Sequence, residues 1–209
     1  MRNANLWVGN EEVGNIFQLL GYKEDSISLA VAWSLTSSPR FCKGFLERIV
    51  GNRRTQSTVN IRIHRYEADG GITDIEIYEP NNFHIVIEAK RGWILPDLSQ
   101  LKKYAKRHSF SQHKTKVKRL VTLSECSEDY AKAHLPATAI DSVPVVHFSW
   151  KDLVSCARVA KRGATYSEKR LLNELIDYFG IVMTSQRKDS NLVYVVSLGG
   201  GAPEGWKTS

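Results

Sequence analysis

The chain has 209 residues, of which 42% are hydrophobic and 24% are charged. These values are typical of an ordinary soluble globular protein that buries one sizeable core. No apolar run approaches the roughly 20 residues of a membrane span, and no basic segment followed by an apolar one opens the chain. We therefore expect neither a transmembrane helix nor a secretory signal, and we expect a cytoplasmic location.

The cysteines of this chain point to the same compartment. Cys42, Cys126 and Cys156 are odd in number and widely separated. They match neither a disulfide framework nor a zinc-ligand spacing. We therefore expect three reduced, buried thiols in a cytosolic protein.

The N-terminal part of the chain is predicted to be helical. Residues 11–20 and 26–35 carry apolar residues at helical spacing, and Gly21 is the expected end of the first helix. Pro39 suits the first turn of a third helix, which is expected to end at Gly51. The core-facing residues of that third helix are expected to be Phe41, Phe45, Leu46 and Ile49.

Three strand-like segments follow the helices. Residues 57–67 alternate between apolar and polar side chains, as a half-buried strand does. Two further runs, 71–78 and 85–90, show the same alternation, and residues 79–83 between them are rich in turn formers. The last two runs are therefore predicted to pair as a hairpin.

The rest of the chain alternates between helices and strands. A helix is expected at 96–108 and a strand at 118–123, followed by helices at 127–134, 151–162 and 167–179 and strands at 143–148 and 191–198. Ser167 is the expected N-cap of the last helix. Residues 199–205 are expected to be a flexible tail, and Trp206 beyond them raises the alternative that the chain is one domain of a longer protein.

This order of elements predicts an α/β fold with a mixed central sheet flanked by helices and an N-terminal helical segment. We expect a single domain over residues 1–198, in which 1–56 is helical, 57–124 forms the candidate catalytic core and 125–198 completes the sheet. Residues 199–209 lie outside that domain.

The predicted hairpin carries a group of residues suited to chemistry. Glu88 and Lys90 are two apart in one strand and so share a face, and pairing of the strands brings Asp74 close to both. Two carboxylates beside a lysine suit a hard divalent cation and a phosphate. Glu88 and Lys90 taken alone are better explained as an ordinary surface salt bridge on a solvated strand face.

Asp74 followed by Glu88-Ala89-Lys90 resembles the PD-(D/E)XK phosphodiesterase superfamily, the restriction-endonuclease-like fold of many restriction enzymes and RecB-type nucleases. The segment Gln100-Leu101-Lys102-Lys103-Tyr104 is similar to the Gln-x-x-x-Tyr helix of RecB-type members. Thr73 stands where many members have a proline before the aspartate. The matching motifs cover residues 71–107, with a weaker match upstream, and the rest of the chain carries no motif that can be assigned.

The resemblance implies metal-dependent hydrolysis of phosphodiester bonds. Asp74 and Glu88, with the backbone carbonyl of Ala89, would hold one or two Mg²⁺ or Mn²⁺ ions, and Lys90 would orient the attacking water or offset charge on the phosphate. Many members add a glutamate from an N-terminal helix, for which the candidates here are Glu12, Glu24 and Glu47. Glu24 is favoured because an acid followed by serine opens the helix of some defence-type members.

Further residues are assigned by position. The resemblance implies that Gln100 supports the metal site or a nearby phosphate and that Tyr104 packs or contacts the nucleic-acid backbone. From Lys102 to Arg119 there are eight lysines and arginines and no acid, which favours a polyanion. Nonspecific phosphate attraction is assigned to Lys102, Lys103, Lys106 and Arg107.

Three other polar residues of the strands are expected to be structural. Glu76 shares a face with Asp74 and is an alternative ligand, but a cross-strand salt bridge is the preferred interpretation. His64 and His84 are expected to be satisfied structural histidines.

Three functions are compared. The first is a DNA endonuclease of prokaryotic anti-phage defence or repair, whose double-strand cleavage would call for a homodimer. The second is a noncatalytic nucleic-acid-binding module with the same fold, and the third is a small α/β interaction domain. An intact set of Asp74, Glu88 and Lys90 favours the first.

Overall fold

The computed structural model describes residues 5–52, 55, 57–68 and 71–198, with the side chains of Glu11 and of 185–198 left out. It has an α/β architecture, in which a six-stranded mixed sheet is flanked by helices and a small two-stranded antiparallel sheet precedes it. The predicted α/β class with a mixed, helix-flanked sheet is therefore confirmed. The predicted tail at 199–209, including Trp206, lies outside the described residues.

The first elements differ from the predicted helix at 11–20. Strands β1 (Leu6–Val8) and β2 (Glu11–Val13) pair antiparallel and are followed by a 3-10 helix, Ile16–Leu20. Asn15 caps this short helix by accepting a hydrogen bond from the Phe17 amide at 2.8 Å. The prediction was wrong because Gly14 and Asn15 favour a chain reversal over a helix interior at this point.

The next two helices agree with the sequence. Helix α1 spans Glu24–Ser37, and helix α2 spans Pro39–Val50. Ser38 caps α2 through a hydrogen bond from the Phe41 amide, and Gly51 follows its end with a φ of 79°, in the left-handed region that glycine tolerates. The four predicted core residues of α2 are all buried: Phe41, Phe45, Leu46 and Ile49.

The central sheet begins with a three-stranded antiparallel meander. Strands β3 (Asn60–Glu67), β4 (Gly71–Glu79) and β5 (Phe83–Ala89) pair in sequence order, which confirms the predicted hairpin between the last two. Strand β6 (Val117–Ser124) lies parallel to β5.

The far side of the sheet is completed by two more strands. Strands β7 (Ala139–Ile140) and β8 (Val143–Ser149) form an antiparallel pair, and β8 lies parallel to β6. The order across the sheet is β3-β4-β5-β6-β8-β7.

The connections between the parallel strands supply further helices. Helices α3 (Leu98–Ala105) and α4 (His108–Gln112) link β5 to β6, and α5 (Glu128–His134) follows β6. Helices α6 (Trp150–Lys161) and α7 (Tyr166–Leu198) end the described chain. Among these described helices, none is long and apolar enough to cross a membrane.

Apolar side chains cover both faces of the sheet. The larger core lies between the sheet and helices α1, α2, α6 and α7, and it includes Ile75, Ile77, Ile85 and Ile87. A smaller core lies on the opposite face under α3 and α4, around Val86, Leu101, Phe110 and Leu120. Strand β5 is buried on both faces, which holds its C-terminal end rigidly between the two layers.

Helix α7 differs from its prediction at both ends. It begins at Tyr166, and the capping residue is Thr165, whose amide donates to Glu168 Oε2 at 2.9 Å and whose hydroxyl faces the Glu168 amide. Ser167 is therefore not the N-cap. The strand predicted at 191–198 is wrong, because the helix continues to Leu198 through a segment that contains no proline.

Candidate metal and phosphate site

The candidate site lies at the C-terminal end of β5, where the N-termini of α1 and α3 meet the edge of the sheet. Glu24 is the first residue of α1, and Gln100 lies in the first turn of α3. Asp74 comes from β4, and Glu88 from β5. Helix N-termini carry partial positive charge and favour anionic groups in their vicinity, so this position suits both carboxylates and phosphates.

Asp74 and Glu88 occupy facing positions of the hairpin. The last ladder pair is Ile75 with Ile87, so the next residue of each strand is brought alongside the other. The Ala89 amide donates a hydrogen bond of 2.7 Å to Asp74 Oδ2. Burial and the nearby charge of Glu88 raise the pKa of Asp74 to about 7, against the opposing effects of the Ala89 amide and Lys90. The predicted closeness of the two carboxylates is thus present.

Glu88 is only 3% exposed, and three side chains hold its carboxylate. Lys90 Nζ lies 2.7 Å from Glu88 Oε1, and the Gln100 side-chain amide donates to the same oxygen. The Tyr104 hydroxyl donates to Glu88 Oε2 at 2.6 Å. The carboxylate is therefore fixed in orientation and its charge is compensated.

Glu24 joins the site from helix α1. Its Oε2 lies 3.5 Å from Lys90 Nζ, and its Oε1 accepts a hydrogen bond of 2.9 Å from the Arg91 amide. Burial alone lowers the pKa of Lys90, but the hydrogen bond and charge of Glu88, with the charge of Glu24, outweigh it and raise that pKa. Lys90 is thus a persistent cation between two carboxylates.

The backbone of Lys90 is anchored in the sheet and the core. Its amide donates to the Leu123 carbonyl at 2.7 Å, which continues the parallel pairing of β5 with β6. Its carbonyl accepts a hydrogen bond of 3.3 Å from the indole of Trp150, a fully buried residue at the start of α6. This support fixes the point from which the Lys90 side chain projects.

The other two predicted acids do not join the site as far as the structure describes them. Glu47 is exposed on α2 and pairs with Lys43 at 3.7 Å. Glu12 lies in β2, opposite Trp7 in the small sheet, and is exposed. Of the three candidates, Glu24 is the one that the fold brings to Lys90.

Helix α3 places Gln100 and Tyr104 on one face, four residues apart, as the sequence predicted. Asp97 caps the helix by accepting from the Gln100 amide at 2.8 Å. Tyr104 is 4% exposed, and burial together with the charge of Glu88 raises the pKa of its hydroxyl, so the hydroxyl keeps its proton and donates a hydrogen bond to Glu88. The assignment of Tyr104 to nucleic-acid contact is therefore corrected, because a buried ring cannot reach a nucleic-acid backbone.

The assignment of Arg107 to phosphate attraction is also corrected. It is fully buried, and its guanidinium donates to the Gly71 carbonyl at 2.6 Å and to the Arg65 carbonyl at 3.0 Å. The same group lies 3.6 Å from Glu67 Oε1. Arg107 thus ties α3 to the ends of β3 and β4, and it is not available to attract phosphate. Lys102, Lys103 and Lys106 are exposed, as that role requires.

The basic block divides into two groups. Lys102 and Lys103 lie on α3 beside the site, whereas the block from 114 to 119 leads into the start of β6. Because β6 begins opposite Phe83, this second group lies at the other end of β5, roughly 17 Å from Glu88 at the rise of an extended strand. This second group therefore lies farther from the site than its position in the sequence suggests.

Glu76 and His84 form a separate buried network. Glu76 Oε1 accepts from Arg65 Nη1 on β3 at 2.7 Å, which confirms the predicted cross-strand salt bridge. His84 Nε2 lies 2.6 Å from the same oxygen, and His84 Nδ1 lies 3.2 Å from His113 Nδ1. His84 is therefore a satisfied structural histidine, as predicted.

His64 does not fit that structural interpretation. Its Nε2 is buried without a hydrogen-bond partner and lies 3.6 Å from Asp25 Oδ1. Ligand atoms of Asp25, His64 and Asp74 all lie within 4.8 Å of one another, the one such group of three found in the described part of the chain. The sequence analysis missed Asp25 and His64, although His64 is opposite Asp74 once β3 is paired with β4.

Comparison with known proteins adds no further assignment. No family model, no curated protein and no solved structure matches this chain.

Proposed function

We propose that the protein is a metal-dependent nuclease that hydrolyses phosphodiester bonds of DNA and has a restriction-endonuclease-like fold. The observation that carries the proposal is the convergence of Asp74, Glu88, Lys90 and Glu24 at one end of the sheet, from three separate elements. An incidental surface salt bridge between Lys90 and Glu88 would not explain why Glu24 of α1 also contacts Lys90. Nor would it explain why Gln100 of α3 also contacts Glu88.

The donor set fits a hard divalent cation. Asp74, Glu88 and Glu24 supply carboxylate oxygens, and one lysine offsets only part of their combined charge. Burial, and after it the charge of Glu88, raises the pKa of Asp74, and a bound cation would favour the ionised form. Mg²⁺ or Mn²⁺ would be held by Asp74 and Glu88, with Glu24 and the Ala89 carbonyl as further oxygen donors.

Each residue of the candidate site then has a role in the proposed reaction. A bound cation supplies Lewis-acid activation of the phosphate and lowers the pKa of a bound water. Lys90 offers a fixed ammonium to the phosphate, whose negative charge increases during attack. Gln100 and Tyr104 hold the Glu88 carboxylate in place, and Glu24 limits the movement of Lys90.

The exposed lysines Lys102, Lys103 and Lys106 would attract the nucleic-acid backbone without selecting a sequence. A cytoplasmic role in anti-phage defence or repair, and a homodimer for double-strand cleavage, belong to the same proposal and rest on the family resemblance.

Plasmid cleavage tests the proposal. Supercoiled plasmid is incubated with the purified protein and Mg²⁺ or Mn²⁺, beside Asp74→Ala and Lys90→Ala variants. Glu47→Ala is the matched control, because Glu47 is an exposed acid of the neighbouring helix that pairs elsewhere. We expect cleavage by the wild type and the control, and its loss in both site variants. Equal cleavage by all four proteins would refute the assignment.

One observation favours a noncatalytic nucleic-acid-binding module instead. Both oxygens of Glu88 already accept hydrogen bonds, from Lys90, Gln100 and Tyr104, which stabilises the carboxylate without a cation. This alternative predicts metal-independent plasmid binding with no cleavage. Absence of both binding and cleavage would instead favour an interaction domain.

A further inference from the structure

Asp74 has a second set of neighbours, distinct from Glu88 and Lys90. The side chains of Asp25 and His64 place one oxygen and one nitrogen beside its carboxylate, and the three ligand atoms lie within 4.8 Å of one another. The distance from His64 Nε2 to Asp25 Oδ1 is 3.6 Å. That separation exceeds a good hydrogen bond and is close to the spacing of two ligands on one metal ion.

The conformation of His64 is unusual for a strand residue. Its φ is 49°, in the left-handed region, although it lies in the middle of β3. The ladder between β3 and β4 has pairs on both sides, Ile63 with Ile75 and Arg65 with Thr73, but none between His64 and Asp74. Such a conformation is costly for a residue with a side chain and is often found at functional sites.

Among the residues that the structure describes, no hydrogen bond at His64 Nε2 offsets this cost. This nitrogen is buried, and the Asp25 carboxylate at 3.6 Å is beyond hydrogen-bond distance. Nε2 is the atom that faces Asp25. A ligand bound between these side chains would give the nitrogen a partner and would offset the cost of the left-handed backbone at His64.

The first turn of α1 serves both sides of Asp74. Glu24 reaches Lys90 and the Arg91 amide, whereas the next residue, Asp25, reaches His64. Asp25 is 76% exposed, so its side chain can move to adjust a coordination distance. Asp74 thus lies between two groups of side chains with different chemistry.

We propose that Asp25, His64 and Asp74 form a binding site for a divalent first-row transition-metal ion, separate from the Glu88 position and sharing Asp74 with it. The imidazole makes the site selective, because nitrogen ligands suit transition metals whereas Mg²⁺ prefers oxygen and water. Metal–ligand distances of about 2.1 Å put two ligands about 3.0–3.4 Å apart. The His64–Asp25 pair at 3.6 Å therefore needs only a small contraction, whereas the whole group, within 4.8 Å, has to close further around the ion. A contribution of this ion to hydrolysis rests on the proposed nuclease function, but its binding does not.

Mn²⁺ is the probe for this site, because its electron spin detects nitrogen ligands directly. We expect pulsed electron paramagnetic resonance of the Mn²⁺-loaded wild type to show coupling to ¹⁴N. The coupling should vanish in His64→Gln and persist in Glu88→Gln. In calorimetric titrations, His64→Gln and Asp25→Asn should each weaken Mn²⁺ binding tenfold or more, while Mg²⁺ binding stays as in the wild type.

The outcomes separate this proposal from the nuclease assignment. Absence of ¹⁴N coupling in the wild type, or its persistence in His64→Gln, would overturn the site even if plasmid is cleaved. Coupling that depends on His64 in a protein without cleavage would support the site and refute the nuclease. Asp25→Asn tests the site without altering the strand, so a folding defect of His64→Gln does not decide the result.

Discussion

At the carboxyl of Asp74, burial and the neighbouring charge of Glu88 oppose ionisation. Its pKa is raised to about 7, from an ordinary value of about 3.9. Below pH about 4 the group is protonated in both the folded and the unfolded protein. Between about 4 and 7 the unfolded chain loses its proton first, so the free energy of unfolding decreases as the pH rises, and the full penalty is present above 7.

This conflict predicts a pH-dependent effect of Asp74→Asn. Without metal, in the presence of a chelator, the variant should melt at a higher temperature than the wild type at pH 8 and at nearly the same temperature at pH 4. An amide oxygen still accepts the Ala89 hydrogen bond, so the charge is the main change. Thermal unfolding followed by circular dichroism measures the difference. A shift of equal size at both pH values would contradict the raised pKa.

Arg107 gives a second prediction at the residue scale. Arg107→Ala removes a buried guanidinium that binds two backbone carbonyls and lies near Glu67, so we expect a loss of about 3–5 kcal/mol in the free energy of unfolding. Lys106→Ala is the matched control, because this neighbour is exposed and should change stability by less than about 0.5 kcal/mol. Urea denaturation measures the free energy of unfolding of both variants. Equal stability of the two would contradict the buried, stabilising role of Arg107.

The residues that the sequence predicted correctly depend on local rules. Strand alternation and the turn at residues 79–83 were enough to bring Asp74 beside Glu88, because a hairpin pairs segments close in sequence. Glu24, 50 residues before Asp74, was found through the family resemblance alone. His64 was missed because its left-handed backbone and its approach to Asp25 depend on the packing of α1, which alternation does not encode.

At the scale of elements, the caps decide where helices begin. Thr165 and Glu168 hold the start of α7, whereas the sequence suggested Ser167 because serine is a frequent N-cap. Thr165→Ala should therefore lower the melting temperature by about 2–4 °C, and Ser167→Ala should leave it nearly unchanged. Differential scanning calorimetry of the two variants tests this, and the reverse order would reinstate Ser167.

Elements with a clear apolar pattern were predicted best. Helix α2 matches its prediction because it buries a regular stripe of side chains, and strands β4 to β6 match theirs because most of their residues are buried. The segment 191–198 has the β-branched and aromatic residues of a strand, yet its backbone continues α7. Side-chain preference is a weak guide where a helix already offers each amide a partner.

For the whole molecule, the sheet places two basic regions at opposite ends of β5. Lys102 and Lys103 belong to α3, beside the site, while Lys114, Lys116 and Lys118 lie near the start of β6. Lys106, at the end of α3, lines the same cavity as Lys116 and Lys118 and so belongs to the second region. The overall charge of +7 could not reveal this division, because it depends on the parallel crossover from β5 to β6.

This separation predicts different salt dependences of plasmid binding. Replacing Lys102 and Lys103 with alanine should reduce the slope of log affinity against log salt by about 0.9 for each lost phosphate contact. The matched double variant at Lys116 and Lys118 should change the slope less. Fluorescence anisotropy of a labelled duplex over a salt series measures both, and a larger effect of the second double variant would move the binding face to the other end of the sheet.

The hydrogen bond from Trp150 to the Lys90 carbonyl links a buried residue of the core directly to the candidate site. Trp150 is fully buried, whereas Trp7, Trp33 and Trp93 are exposed. With the other tryptophans replaced by phenylalanine, the emission of this one indole would respond to small shifts of the Lys90 backbone. The protein thus carries its own optical sensor of events at the end of β5, and occupancy of the site can be followed in real time without an attached dye.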